Sequence, residues 1–238
     1  FANMLIYRIP RGMVFYSDHS TCVHCHHRLG IMDLVPILSY LVFLRGKCRY
    51  CAQTISIRYL LCELLVASGC LALWVQLGFG IDFVQYSFYF YLMVLIFLID
   101  LETMLIPDVL SGALVAFGIL FSGYHYDVLN SILGAGVGFL IFWVIGVVGK
   151  FFYKKDVMGL GDAKLAAGMG AFWGLSHVML MTYFGFFIGA GIALVLMGMK
   201  KLRVSQEIPF GPALILGSGV ALVWGDMALI WYRGFLVI

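Results

Sequence analysis

Charge is scarce in this 238-residue chain. Only 11% of its residues are Asp, Glu, Lys or Arg, against 63% hydrophobic, where a soluble domain carries about a quarter charged. That shortage excludes an ordinary soluble fold and points to an all-α polytopic membrane protein. No signal peptide is visible. Phe1 to Tyr7 is apolar but too short to span, since a spanning helix takes about 20 residues. An initiator Met is also missing, so residues 1–8 are expected to be the end of a first helix that is incomplete in this sequence. No glycine fingerprint follows a strand, which argues against a Rossmann-type cofactor site. No internal repeat is evident, which weighs against a repeat-built transporter. The basic clusters are short and flanked by lipid-length apolar runs, so no nucleic-acid partner is expected.

The formal charge is +3, and its distribution carries the information. Arg8, Arg11, Arg28, Arg45, Lys47, Arg49 and Arg58 lie in or beside residues 9–57. Lys150, Lys154, Lys155 and Lys164 form a second cluster, and Lys200, Lys201 and Arg203 a third. Positive loops face the cytoplasm, which orients the chain. Spans are predicted at about 58–79 (outward), 83–99 (inward), 108–123 (outward) and 128–149 (inward). A short glycine-rich segment follows at 163–175, then spans at 176–199 (inward) and 209–225 (outward). Residues 227–238 are too short for a confident span. With the partial first helix this gives about eight transmembrane helices. Residues 9–57 are expected to form a small cytoplasmic domain, and 58–238 the membrane domain. Within the former, 31–44 reads as an interfacial or locally buried helix.

This topology brings two acids to one membrane face. Asp100 ends the apolar run 90–99 and is followed by Leu101-Glu102 and Ile106-Pro107-Asp108. Asp162 follows two glycines in Gly159-Leu160-Gly161-Asp162-Ala163-Lys164. Glycine suits a tight turn or a close backbone approach. Each acid could be a solvated helix end, and Asp162 an N-cap. A functional carboxylate pair is the sharper reading, because ionisable groups at the edge of apolar segments tend to be functional.

Cys22-Val23-His24-Cys25 and Cys48-Arg49-Tyr50-Cys51 form two C-x-x-C pairs, 22 residues apart. Four thiolates complete a tetrahedral zinc shell, although the spacing slightly exceeds the usual zinc-ribbon range. A cytoplasmic location disfavours stable disulfides; reactive thiols remain the alternative. Cys62 and Cys70 read as buried small hydrophobes.

Together these features resemble the type IV prepilin peptidases, the leader peptidase/N-methyltransferases of pilus and type II secretion systems. The resemblance runs from Phe1-Ala2-Asn3 and Tyr7-Arg8-Ile9-Pro10 through the tetracysteine loop with Gly46-Lys47, then Ile55-Ser56-Ile57-Arg58-Tyr59 and Glu63. It continues through both aspartate motifs to Pro209-Phe210-Gly211-Pro212. It implies an aspartic endopeptidase of the bacterial inner membrane with Asp100 and Asp162 as the catalytic pair. Gly159, Gly161, Lys164 and Pro107 would support the motifs, and Cys22, Cys25, Cys48 and Cys51 would hold structural Zn2+. The implied reaction removes the leader of type IV prepilins or pseudopilins after a glycine, on the cytoplasmic side. It further implies N-methylation of the new terminus, often Phe, with S-adenosylmethionine as methyl donor; the residues that bind it stay unassigned. Two carboxylates can hydrolyse a peptide when one is ionised and the other protonated. Which aspartate is the base stays open, as do the roles of Glu63 and Glu102. Two competing readings are a proton- or metal-coupled transporter and a presenilin-like intramembrane protease, of which Pro212-Ala213-Leu214 is a weak echo.

Overall fold

The computed structural model describes residues 1–13, 19–125, 127–154, 158–200 and 208–236. Lys155, Lys201 and Arg203, from two of the basic loops, lie outside them. Among the described residues there is no strand, only two isolated bridges, Thr21 with Arg28 and Lys47 with Thr54. The described residues form seven α-helices: α1 (Ala2–Arg8), α2 (Ile57–Leu77), α3 (Ile81–Thr103), α4 (Asp108–His125), α5 (Val128–Tyr153), α6 (Leu160–Gly198) and α7 (Gly211–Leu236). Four of them, α2, α3, α5 and α6, are long and apolar enough to cross a membrane; α4 and α7 carry shorter apolar stretches. Residues 1–95 and 96–238 form two compact units.

In the first unit, Ser56 caps α2 by accepting the Arg58 N–H (3.4 Å), and Gly78 ends the helix with a left-handed φ of 69°. Residues 31–44 depart from the expected helix. They form a 3-10 turn (Ile31–Asp33) and a π-turn (Ser39–Phe43). Pro36 interrupts helical hydrogen bonding, and Ile37 adopts a positive φ of 65°. Its N–H is held by Glu63 Oε2 at 2.8 Å, while Asn3 Nδ2 donates to Glu63 Oε1 at 3.2 Å. Glu63 therefore ties α1, the loop and α2 together.

In the second unit, α6 is a hairpin rather than a 39-residue rod. Gly174 has φ 75° and ψ −178°, a combination reserved for glycine. A side chain on Gly138 of α5 would meet both Ala166 and Val178. Those residues would stand about 18 Å apart on a straight helix, so the chain reverses between them. Gly134 likewise abuts both Gly170 and Gly174. Bare glycine surfaces let the helices approach closely. Asn130 seals the reversal, its Oδ1 accepting the Leu175 N–H at 3.1 Å. The first arm, 160–173, is about 21 Å long at 1.5 Å per residue, which explains its short, glycine-rich sequence.

Neighbour pairs give the directions of the arms. Leu114 and Gly118 of α4 meet Gly168 and Ala171, so α4 and the first arm run parallel. Gly185 and Gly189 of the second arm meet Leu214 and Phe210, so it runs antiparallel to α7. As a result α4, the first arm of α6, and α7 all begin at the same end of this unit. The backbone of α7 also continues to Leu236 instead of ending near Gly225. One glycine costs a helix only about 1 kcal/mol, too little to stop it.

Candidate active site and metal centre

Asp100 lies within the last turn of α3, which continues to Thr103. The helix ends at Met104, whose φ is 53°. Pro107 then precedes α4, and its carbonyl accepts the Leu110 and Ser111 N–H groups (3.1 and 3.2 Å). Asp162 is not the N-cap of α6. Gly159 takes that position, and Asp162 sits three residues on. There its N–H donates to the Gly159 carbonyl (3.2 Å). A carboxylate in a first helical turn is favoured by the helix dipole.

The two aspartates come together. Asp100 is 3% exposed and Asp162 9% exposed, and Asp162 lies within electrostatic range of Asp100. Their surroundings interlock through one side chain, Ile106. A Cβ added to Gly161 would stand 3.0 Å from Ile106 Cβ, and one added to Gly211 would stand 3.3 Å from Ile106 Cδ1. The Gly211 position is tighter still on its other side, with Asp100 Oδ2 only 2.5 Å away. That oxygen is buried and meets no partner at full hydrogen-bond geometry among the described residues, while the Gly211 backbone N–H is the donor nearest the carboxyl. Buried polar atoms are nearly always paired, so this carboxylate oxygen stands out beside a second buried acid. Lys164 pairs with Asp108, Nζ to Oδ1 2.7 Å.

Sequence reasoning missed Gly211 as a site residue. It stood inside Pro209-Phe210-Gly211-Pro212, but nothing in the sequence says which side chain it must admit. Asp108 stands within the first aspartate motif, but its pairing with Lys164 across 56 residues leaves no local signal.

In the first unit, Cys22, Cys25, Cys48 and Cys51 place their sulfurs within 4.8 Å of one another. The two pairs sit on equivalent turns. Cys22 N–H donates to His27 O and His26 N–H to Cys22 O (3.0 and 2.9 Å); Cys48 N–H donates to Gln53 O and Ala52 N–H to Cys48 O (2.8 and 2.9 Å). His26 and Ala52, at matching positions, have φ of 56° and 58°. Arg49 reaches Asp33 at 3.0 Å, and the His27 and Tyr50 rings pack edge-on at 3.7 Å. Zn–S bonds of about 2.3 Å imply sulfur–sulfur edges of about 3.8 Å in a tetrahedron. The Cys22–Cys51 separation is 3.9 Å, so the donor set fits a closed metal shell. The Cys25 backbone N–H is the main influence lowering the Cys22 thiol to about 7. Although the Gln53 N–H favours the Cys51 thiolate, desolvation and the three neighbouring sulfurs push that thiol up to about 12.

A helical, membrane-capable protein with a buried aspartate pair in one unit and a four-cysteine metal lobe in the other is the class that fold and site define. Residues 1–77 match the Bacterial Peptidase A24 N-terminal domain, and residues 87–194 match the Type IV leader peptidase family. The chain belongs to the prepilin leader peptidase/N-methyltransferase family of enzymes. It is 35% identical over 215 residues to the Prepilin leader peptidase/N-methyltransferase of Aeromonas hydrophila, covering 90% of this chain and 74% of that one. It is 34% identical over 232 residues to that of Stutzerimonas stutzeri, covering 95% and 79%. With that of Vibrio cholerae the identity is 32% over 229 residues, covering 91% and 88%. No solved structure matches the chain.

Proposed function

We propose that this chain is an aspartic endopeptidase of the bacterial inner membrane. It removes the leader from type IV prepilins or pseudopilins after a glycine, and N-methylates the residue exposed. The observation that carries the peptidase reading is the buried Asp100–Asp162 pair at the end of the unit where three helices begin. The ionised carboxylate takes a proton from water as that water attacks the scissile carbonyl. The protonated carboxyl donates to the carbonyl oxygen. As the tetrahedral diol collapses, the carboxyl that took the water proton gives it to the leaving amine, and the other carboxylate takes a proton from a diol hydroxyl. The two groups exchange roles through the cycle, so neither is assigned alone as the base.

By the basic-loop orientation this end faces the cytoplasm, and the chain makes about eight membrane segments in all. The cysteine domain of residues 9–57 would hold Zn2+ on Cys22, Cys25, Cys48 and Cys51, and the ion would supply folding energy. The four-thiolate shell leaves no open position for chemistry. Methyl transfer rests on the relatives' names, and S-adenosylmethionine enters as a substrate. Among the described residues no strand leads into a glycine-rich turn, so no residues are assigned to it and no step is derived for it.

The test uses purified protein in liposomes with a prepilin. Shortening of the substrate at a glycine, with a further gain of one methyl group when S-adenosylmethionine is added, is the expected result. Intact prepilin together with protein-dependent proton or metal flux would replace this reading with the transporter.

A further inference from the structure

The Asp108–Lys164 ion pair joins the two segments that carry the aspartates. Asp108 opens α4 directly after Pro107, and Lys164 lies two residues beyond Asp162. Between Asp100 and Asp108 the chain leaves helical geometry at Met104, and such a segment needs fastening from outside. Two contacts supply it at the start of α6. Ile106 packs against Gly161, before Asp162, and Asp108 meets Lys164, after it. The pair is not needed to hold the fold. Its side chains are 71% and 41% exposed, and exposed pairs contribute little to stability. Further along, α4 and the first arm of α6 already pack through Gly168 on Leu114 and Gly118 on Ala171.

We propose that Asp108 and Lys164 form a clamp that sets the spacing of Asp100 and Asp162, making both of them positioning residues for the peptide hydrolysis proposed above. The clamp rests on that reading. Both residues also line an open groove of about 360 Å³ together with Val115, Phe139 and Ala167. Direct contact of Lys164 with substrate is therefore the competing role that the experiment must separate.

The experiment measures kcat and KM for prepilin cleavage by the full-length protein in liposomes. The variants are Asp108→Asn, Lys164→Met, their double, and the conservative Asp108→Glu and Lys164→Arg. An exposed contact can favour the positioned arrangement by about fivefold at most, so each single neutralisation is expected to lower kcat by about 2- to 5-fold. KM should stay near the wild-type value. The double variant should be no worse than the worse single, because both act through one contact. Charge-retaining variants should recover most of the rate, and melting temperature and metal content should not change. Losses that multiply in the double variant would overturn the clamp. So would a raised KM with unchanged kcat, which assigns Lys164 to substrate binding, or a rate loss that tracks a lowered melting temperature. Unchanged variants beside an active wild type overturn the clamp alone. A wild type that leaves prepilin intact overturns the proposed function and the clamp with it.

Discussion

Gly211 shows how one missing atom can define a site. Its Cα packs on Asp100 so closely that any Cβ would stand 2.5 Å from Oδ2, inside van der Waals contact. Gly211→Ala must push the carboxylate or the start of α7 aside. Cleavage should fall by about 100-fold for a displacement of about 1 Å, with the metal retained. Gly161→Ala meets Ile106 Cβ at 3.0 Å, and a small shift of that residue relieves it, so a milder loss is expected. Rates and metal content of the two purified variants check this order. The aspartates themselves were legible, because acids at the ends of apolar runs are conspicuous. Gly211 was legible only as part of a motif, since the side chain it admits lies 111 positions earlier in the chain.

The hairpin in α6 depends on one backbone conformation and one side chain. Gly174→Ala forces a non-glycine residue into a region that costs about 1–3 kcal/mol, and its Cβ would collide with Asn130 Nδ2. Asn130→Ala removes the acceptor for the half-buried Leu175 N–H, and a donor left unpaired there costs up to about 1 kcal/mol. Both variants should melt earlier in detergent, Gly174→Ala the more so. An unchanged melting temperature for both would contradict the hairpin's construction. A short segment near 163–175 followed by a returning one was readable from glycine content and length, and the structure places the reversal at Gly174. The segment at 31–44 departs from the expected single helix and forms two short helical turns. Its apolar residues suggested a helix, but Pro36 and the hold of Glu63 on the Ile37 N–H favour turns, and that hold spans 26 residues.

Across the whole molecule the cysteines and the aspartates belong to different units, so damage to one should spare the other's fold. Cys48→Ser opens the sulfur shell, and shell energy is folding energy. The variant should lose its metal and become protease-sensitive within 9–57 while its helix content stays. Elemental analysis and limited proteolysis read both outcomes. Metal uptake should also depend on pH in a defined direction. Only thiolates bind, Cys22 is half-protonated near pH 7, and Cys51, at about 12, is protonated throughout the neutral range. Acidification therefore weakens binding, by about tenfold per pH unit for each proton that must be released. Titration of the metal-free protein at pH 6 and pH 8 should show the tighter binding at pH 8; equal affinities would contradict a thiolate shell.

The most direct measurement is prepilin cleavage by Asp100→Asn and Asp162→Asn, with Asp127→Asn as control. Asn keeps the shape of Asp but cannot carry the proton the reaction moves. Asp127 caps α5 at the opposite end from the pair, by accepting the Leu129 N–H. Each of the first two substitutions should abolish cleavage while leaving the metal bound. The double variant should be no worse than either single, because residues that act as a unit are not additive. Asp127→Asn should cleave normally. Near-normal cleavage by a folded Asp100→Asn or Asp162→Asn protein would contradict the assignment of the pair.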